Sequence, residues 1–404
     1  MKPTKESVLL LNRFPYWIYA SAGYPFDNVD VIILQEKGVP LDFPKDRYKV
    51  ALECDLSNEE ELNDTIKHLH ATYAFTRVIN NTERYMYTAA RIRELCNISQ
   101  GLNVEETRRF RDKMYMKNIL RAKNIKVPEA KLLKSRLEAI EFFQQYGKSI
   151  IKPIDGTGTK NTYEIASVHD IESIQEPIFN DNFEIEAFIF GDMYHCDAII
   201  ENGNIRMCSV SKYLNSTLNF HTDGYLGSVM IDQGELQERL QQFNKEVIHA
   251  LAYENGVTHL EAFVQPDGQI VFCEIAARPG GGGIIPSIDN VYGVDIAECS
   301  IRLQLGEPLQ LPPKKDILSG FLIIHQKEGV VAEISAEAEF DDDWITYKNI
   351  HAKEGERLTA ANSSISSIAD FTIIGDTQEA LTNRMVAIRN RFRLSVDAVG
   401  SKHL

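Results

Sequence analysis

The sequence is short of positive charge and of cysteine, and it contains no long apolar run. Its 404 residues include 43 lysines and arginines against 58 aspartates and glutamates, a formal net charge of −15. Binding to nucleic acid or to an anionic membrane requires a basic surface, so neither is an expected partner. No stretch approaches the roughly 18 consecutive apolar residues of a membrane-spanning helix. The apolar run Val8–Leu11 is too short for the core of a secretory signal and predicts a strand.

The six cysteines are scattered, and none of them forms a C-x-x-C pair. Thiols of this kind are typical of a reducing compartment rather than of a disulfide framework, which predicts a cytoplasmic protein. The 44% of hydrophobic and 25% of charged residues indicate a globular chain with a sizeable core. Its length suits two or three domains of roughly 100–200 residues each.

Strand and helix patterns alternate over residues 1–106, which predicts a Rossmann-like α/β domain with parallel strands. Strands are expected at three apolar runs, which are Val8–Leu11, Val29–Leu34 and Arg77–Asn80. A helix is expected at Asn58–His70. Ser57 is its predicted N-cap, with Glu60 as the capping-box partner.

The rest of the chain predicts a central unit at 107–309, with a lid at about 120–185, and an α+β unit at 310–404. The Pro-rich linker at 306–313 marks the second boundary. Helices are expected at 107–123, Ser135–Tyr146, Glu235–Asn255 and Thr377–Phe392. Strands are expected at Ser149–Pro153, Glu184–Phe190, Met193–Ile200, Asn204–Tyr213, Thr258–Gln265 and Gln269–Ala276.

Two of these strands flank a turn sequence, Pro266-Asp267-Gly268-Gln269, which predicts a hairpin. A symmetric two- or four-residue turn would pair Phe263 with Phe272 and Glu261 with Glu274. Opposed carboxylates repel each other unless a cation lies between them, and Mg²⁺ is a common solution. A three-residue loop with a glycine bulge would instead set Glu261 against Cys273, and solvated strand glutamates are the structural alternative.

Candidate anion-binding residues surround this hairpin in the sequence. Arg278 and four glycines follow Glu274, and they suit a phosphate or an oxyanion that the metal also touches. Lys152 ends a predicted buried strand and precedes the Gly- and Thr-rich loop Asp155–Asn161. Backbone N–H groups of such a loop can line an anion, although it is neither a Walker A loop nor a Rossmann fingerprint.

Three further features are open to a functional or a structural interpretation. Lys113 begins a predicted helix, where a solvated face is the ordinary alternative. Glu184 and Glu186 alternate with apolar residues, which suits either a half-buried strand or a hinge that contacts adenine and ribose. His221 lies in a polar loop, where it is either solvated or in contact with substrate or phosphate.

The order of these motifs resembles the ATP-grasp superfamily. Within it the chain resembles the carboxylate–amine ligases that include bacterial L-amino-acid ligases forming dipeptides. The likeness covers roughly residues 75–305. It implies an ATP-grasp fold, an acyl-phosphate intermediate, and ATP with Mg²⁺ or Mn²⁺. It also implies small-molecule carboxylate and amine substrates. A homodimer is a further expectation, because dimers are common among such enzymes.

The resemblance also assigns roles to residues. Glu261 and Glu274 would hold the metal, and the catalytic residues would be Lys152, His221 and Arg278. Ser211, Lys212 and His221 would lie near the γ-phosphate or the substrate. The nucleotide contacts would come from Lys113, Lys152, Gly156, Thr157, Gly158, Thr159, Glu184, Glu186, Phe188, Ile189, Asp192 and Lys212.

The sequence departs from the family pattern at two positions. Ala276 stands where the family often has a metal-binding Asn, so fewer protein ligands are expected for one ion. Asp192 stands near the usual position of an acidic ribose ligand. The sequence also allows three alternative functions. They are a biotin-carboxylase-like enzyme, a formate-using enzyme of the purine pathway, and a nucleotide-binding regulatory protein without catalysis.

Overall fold

The structure is a computed structural model that describes residues 5–20, 25–175, 178–218 and 220–398, with backbone alone at 220 and 221. The first part of the chain forms a parallel sheet in the order β3-β2-β1-β4. Its elements are β1 (Glu6–Asn12), α1 (Trp17–Ala20), β2 (Val29–Glu36), β3 (Val50–Cys54), α2 (Glu59–Tyr73), β4 (Arg77–Ile79), α3 (Met86–Leu95) and α4 (Val104–Arg108).

This sheet has the predicted parallel α/β arrangement, and the three predicted strands are confirmed to within two residues at each end. The predicted cap of α2 was wrong by one residue. Asn58 is the N-cap, and its side chain accepts from the backbone N–H of Glu61. The Ser57 hydroxyl instead donates to Asp55, which removes it from the cap position.

A second sheet, ordered β5-β8-β6-β7, forms most of the predicted lid. Ser135 caps α6 by accepting from Glu138, and Gly147 ends that helix with a φ of 74°, as its residue type favours. The elements are α5 (Lys113–Ala122), β5 (Ala130–Leu132), α6 (Arg136–Tyr146), β6 (Ser149–Pro153), β7 (Tyr163–Ile165), α7 (Val168–Ser173) and β8 (Phe183–Ala187).

An eight-stranded antiparallel sheet is the largest feature of the described chain, with the order β13-β12-β9-β10-β11-β14-β18-β16. One of its faces packs its apolar residues against α5 and α9. The elements that carry this sheet up to residue 304 are β9 (Asp192–Glu201), β10 (Asn204–Tyr213), α8 (Phe220–Asp223), β11 (Tyr225–Met230), α9 (Glu235–Ala250), β12 (Gly256–Val264), β13 (Ile270–Ala276), α10 (Ile284–Tyr292) and α11 (Ile296–Gln304).

The last part of the chain does not form a separate sheet only. Its strands β14, β18 and β16 extend the large sheet, because β14 pairs with β11. The predicted boundary at 309/310 falls in the connection between α11 and β14, and the division into domains stays a prediction. A small sheet, β17-β15-β19, lies beside it. The elements are β14 (Leu318–His325), β15 (Gly329–Ile334), β16 (Ile345–Ile350), β17 (Arg357–Leu358), β18 (Ser367–Gly375), α12 (Gln378–Arg391) and β19 (Leu394–Asp397).

Several predicted boundaries differ from the structure. The helix predicted at 107–123 is two helices, because Asp112 caps a new helix by accepting from Tyr115. The strand predicted to end at Phe190 ends at Ala187, and α9 ends at Ala250 rather than at Asn255. All six cysteines are free. Within the described residues, no helix combines the length and apolarity that crossing a membrane requires.

Candidate active site

The hairpin of β12 and β13 brings Glu261 and Glu274 directly opposite each other. Its loop is the three-residue alternative, since Gln265 pairs with Gln269 and Gly268 has a φ of 84°. Such a loop alone would have opposed Glu261 to Cys273. A bulge between the glutamates and the loop shifts the register back by one residue.

The bulge leaves Cys273 as the extra residue of β13, and it corrects one predicted pair. Phe263 pairs with Val271 rather than with Phe272. The backbone N–H of Phe272 donates to the Lys126 carbonyl at 2.9 Å, outside the hairpin, which gives this N–H a partner next to the bulge. The pairing of the two glutamates was therefore predicted correctly. The loop is the alternative with three residues, but the register expected from it, Glu261 opposite Cys273, was wrong.

A cleft of about 390 Å³ lies between the β5-β8-β6-β7 sheet and the large sheet, with the paired glutamates in its wall. One group of lining residues is apolar, as suits a flat ring such as adenine, and includes Pro128, Ile150, Phe188, Ile189, Met193 and Phe263. The polar lining side chains include Lys113, Lys152, Lys160, Glu186, Tyr213, Glu261 and Glu274. The cleft thus combines an apolar surface with a group of cations and carboxylates.

Most of the predicted nucleotide contacts line this cleft. Gly156, Thr157, Gly158 and Thr159 belong to its rim, as do Phe188, Ile189 and Asp192. Gly158 and Thr159 have φ values of 62° and 58°, a left-handed conformation that suits glycine better than threonine. The loop at 155–161 therefore takes the position that a lid over the cleft would need.

Lys113 connects the lid loop to the metal-binding candidates. Its Nζ lies 3.1 Å from Glu274 Oε2 and donates to the Gly156 carbonyl at 2.8 Å. Burial opposes the ionisation of Glu274, but the ammonium groups of Lys113 and Lys152 outweigh it and lower the pKa of Glu274 to about 2. Glu274 is therefore an anion at neutral pH, as a metal ligand must be.

A buried charge network that the sequence analysis missed lies next to the cleft. Lys117, whose side chain is 0% exposed, donates to Glu184 Oε1 at 2.6 Å and to Glu186 Oε2. Lys152 Nζ donates to Glu186 Oε1 at 2.6 Å. Burial alone would raise the pKa of Glu186, but Lys117 and Lys152 reverse the direction and lower it.

This network separates the roles of the two alternating glutamates. Glu186 lines the cleft, whereas Glu184 is fully buried, and its Oε2 has no hydrogen-bond partner within the described residues. The predicted contact between Glu184 and the nucleotide is thus not supported, and Glu184 holds Lys117 instead. Lys113 and Lys117 are four residues apart and share one helix face, a signal that the sequence contained.

A second missed group supports Glu261. The Tyr213 hydroxyl donates to Glu261 Oε1 at 2.9 Å, and His259 Nε2 lies 3.5 Å from the same oxygen. His259 Nδ1 contacts Asp197 Oδ1 at 2.8 Å. Burial opposes a charge on His259, but Asp197 and Glu261 outweigh burial and raise the pKa of His259 to about 10.

Arg278 contacts the N-terminal part of the chain rather than lining the cleft. Its Nε donates to Glu83 Oε2 at 2.7 Å, and one of its terminal nitrogens donates to the Pro279 carbonyl at 2.7 Å. Arg111 donates to the other oxygen of Glu83 and to the Asp155 carbonyl. Glu83 therefore links Arg278, the predicted catalytic arginine, through Arg111 to the start of the loop at 155–161. Arg278 and Glu83 are 195 positions apart in the sequence.

Lys212, another predicted site residue, is not among the residues that line the cleft. Lys212 Nζ pairs with Asp192 at 2.6 Å, and its neighbour Tyr213 lines the cleft in its place, because successive strand side chains point to opposite faces. His221 lies in the short helix α8, and its side chain is outside the described part of the chain. Ser211 is buried on the same face as Tyr213, next to His195 in the sheet register.

The fold and the cleft agree with comparisons to known proteins. Residues 148–287 match the family model described as ATP-grasp domain. The chain carries an ATP-grasp domain. The matched residues of this domain include Lys152, the lid loop, Glu186, Glu261, Glu274 and Arg278.

Similar proteins extend the likeness beyond the ATP-grasp domain. An L-arginine-specific L-amino acid ligase from Bacillus subtilis is 25% identical over 334 residues, which cover 79% of this chain and 80% of that protein. The crystal structure of L-amino acid ligase from Bacillus licheniformis has a TM-score of 0.81 at 15% identity, covering 98% of this chain and 100% of that one.

A third similar protein has a different name. The crystal structure of carboxyaminoimidazole ribonucleotide synthase from Aspergillus clavatus, complexed with ATP, has a TM-score of 0.72 at 14% identity. It covers 96% of this chain and 99% of that one. The described chain thus has the ATP-grasp fold, shared by proteins with different named activities.

Proposed function

We propose that the chain is an ATP-dependent ligase that joins a carboxylate to an amine through an acyl phosphate, with amino acids as both substrates. The observation that carries this proposal is the pair Glu261 and Glu274, opposed on one sheet face and flanked by Lys113 and Lys152. The likeness to two L-amino acid ligases supports the substrate class.

The carboxylate pair suits a hard divalent cation. Mg²⁺ and Mn²⁺ prefer oxygen ligands, and two directly opposed carboxylates that face a cleft supply them. Glu261 and Glu274 would hold the ion, which when bound offsets the charge of the transferring phosphoryl group. Lys113 and Lys152 line the cleft and would bind the phosphates, and the apolar part of the cleft would bind adenine.

The proposed reaction has two steps. A carboxylate oxygen of the first substrate attacks the γ-phosphorus of ATP, and the bond to the β–γ bridging oxygen breaks, releasing ADP. The amine of the second substrate then attacks the acyl carbon, and inorganic phosphate leaves with the C–O electron pair. The amine loses a proton, and an amide remains. Cationic side chains stabilise the negative oxygens that meet in the first step.

The remaining residues of the proposed site hold geometry and exclude water. Lys117 fixes Glu186 and thereby orients Lys152. The lid loop borders the cleft and, when closed, would protect the acyl phosphate from hydrolysis. Arg278, held by Glu83 in this structure, lies close enough to Glu274 to lower the pKa of that carboxyl. A guanidinium in this position can stabilise the acyl phosphate.

The test is phosphate release from ATP, screened over pairs of amino acids and repeated with the variant Glu274→Gln. The wild type should release phosphate only with a productive pair, and the variant should lose turnover while retaining its circular dichroism spectrum. Glu238→Gln, at an exposed glutamate of α9, is the matched control and should keep full activity. Full activity of Glu274→Gln would refute the metal role of Glu274.

Two results would favour other functions. ADP formation that depends on bicarbonate rather than on an amino acid would indicate a carboxylase-type enzyme. ATP binding without phosphate release in any mixture of carboxylates and amines would indicate a regulatory nucleotide-binding protein. Both results can be read from the same assay plates, with ATP binding measured separately by calorimetry.

A further inference from the structure

One row of side chains across the large sheet contains a polar group next to the carboxylate pair. His259 lies directly opposite Ala276 on β13 and directly opposite Asp197 on β9. Ala276 is two residues beyond Glu274, so both side chains share one face. The methyl group of Ala276 offers no oxygen or nitrogen to a cation. The row of Ala276 instead carries the imidazole of His259, which lies two residues before Glu261 on β12.

His259 is held at both of its ring nitrogens. Nε2 lies 3.5 Å from Glu261 Oε1, and Nδ1 lies 2.8 Å from Asp197 Oδ1. The other Asp197 oxygen, Oδ2, lies 2.6 Å from His195 Nδ1, and His195 Nε2 contacts Ser228 Oγ at 2.7 Å. A chain of four contacts therefore connects Glu261 to β11 through side chains that are almost completely buried.

The backbone at Gly280 packs closely against this series of hydrogen-bonded side chains. A Cβ atom added at Gly280 would lie 2.9 Å from Asp197 Oδ1 and 2.9 Å from His259 Nδ1. The glycine loop after Glu274 is therefore packed against the His259–Asp197 contact, which restricts movement of the imidazole. Together with the Tyr213 hydroxyl, this imidazole restrains Glu261 at a single oxygen, Oε1.

We propose that His259 is a positioning residue for the metal-binding carboxylate of Glu261. Asp197 fixes its ring, and the pair compensates for the side-chain ligand that Ala276 does not supply. The inference rests on the proposed function only in assigning a metal to Glu261 and Glu274. It adds that the site depends on a buried imidazole as well as on its two carboxylates.

The same three side chains also have the spacing of a metal site. The ligand atoms of His195, Asp197 and His259 all lie within 4.8 Å of one another. Both Asp197 oxygens, both His195 nitrogens and Nδ1 of His259 already have partners at hydrogen-bond distance. Hydrogen bonds alone account for those contacts without an ion. Measuring the metal content of the purified protein distinguishes a hydrogen-bonded chain from a metal site at these three side chains.

The experiment titrates Mn²⁺–ATP into the protein without amino acids and measures binding by water proton relaxation. His259→Ala should weaken binding by about 10–100-fold, the usual effect of removing a group that orients a metal ligand. The double variant His259→Ala/Ala276→Asn places an amide oxygen on the same row and should regain most of the affinity. His325→Ala removes another buried imidazole of the same sheet and should leave affinity within about twofold of wild type.

Several outcomes would overturn the proposal. The first is that His259→Ala binds Mn²⁺–ATP as tightly as wild type does. The second is that the double variant binds Mn²⁺–ATP no more tightly than His259→Ala does. The third is that the purified wild type contains a tightly bound transition metal and the Asp197→Asn variant does not. If His259→Ala does not fold, His259→Gln keeps most of the volume and should bind about tenfold more weakly. A wild type that does not bind Mn²⁺–ATP would refute the proposed function itself.

Discussion

Replacing Lys117 by methionine tests whether the buried charge network stabilises the packing of α5 against β6 and β8. Lys117 contributes one of two ammonium groups that neutralise Glu184 and Glu186. In Lys117→Met the network has one cation and two carboxylates. Glu186 keeps its 2.6 Å contact with Lys152, but the shortest remaining ammonium contact of Glu184 is 3.8 Å. The uncompensated charge therefore falls mainly on Glu184.

The size of the effect follows from this imbalance. Removing one partner of a buried ion pair costs about 3–5 kcal/mol, because the other charge remains away from water. Glu184 has an exposed fraction of 0%, so that full range applies. Replacing Glu184 by glutamine in the same chain restores neutrality, and Lys117→Met/Glu184→Gln should regain about 2–3 kcal/mol of the loss.

The assay is urea unfolding followed by circular dichroism. With a slope of about 3 kcal/mol/M, a loss of about 3–5 kcal/mol moves the midpoint down by about 1–1.7 M. Lys123→Met, an exposed lysine just after the same helix, is the control and should stay within about 0.5 kcal/mol of wild type. An unchanged midpoint for Lys117→Met, or a double variant less stable than Lys117→Met, would refute the account of the network.

Three shorter predictions concern the same site. Gly280→Ala should lose about 1–3 kcal/mol of stability, because the new Cβ would lie 2.6 Å from a side-chain carbon; Gly281→Ala, where the nearest atom is 3.7 Å away, should match wild type in thermal melting. Tyr213→Phe removes the hydrogen bond to Glu261 and should raise the Mg²⁺ concentration for half-maximal phosphate release about tenfold, with less effect on kcat. Glu186 has a lowered pKa in the folded state, so its stabilisation is present above the ordinary value of 4.5 and is lost as pH falls through the lowered value. The stability difference between wild type and Glu186→Gln should therefore be larger at pH 7 than at pH 3 in urea titrations, and an equal difference would contradict the shift.

Local sequence patterns predicted the elements of the fold well. The parallel order of the first sheet followed from alternating strands and helices, and Ser135 and Gly147 marked the ends of α6 by their residue types. The joining of β14 to β11 was not predictable in this way, because it pairs residues 91 to 99 positions apart. Strand pairing over such distances depends on packing, and no local propensity encodes it.

The β12–β13 hairpin shows how a predicted residue pair can form on the alternative loop. The loop has three residues rather than two or four, and the bulge at Cys273 compensates for it. The N–H of Phe272 beside the bulge has a partner outside the hairpin, the Lys126 carbonyl. Since that contact is long-range, sequence reasoning had no means of predicting the shift that keeps Glu261 opposite Glu274.

The polar face of the large sheet contains the residues that the sequence analysis missed, and their pattern explains why. His195, Asp197 and His259 alternate with apolar residues that face the helix side, so each strand alone reads as an ordinary half-buried strand. Only the pairing of β9 with β12 places them in two adjacent rows, one ending at Glu274 and the other at Ala276. Burying so many polar groups is unfavourable unless each one is hydrogen-bonded. His259 meets that condition through Asp197 and Glu261. Alternating polar residues on a central strand therefore indicate partners on neighbouring strands, and that rule would have selected His259 together with Glu261.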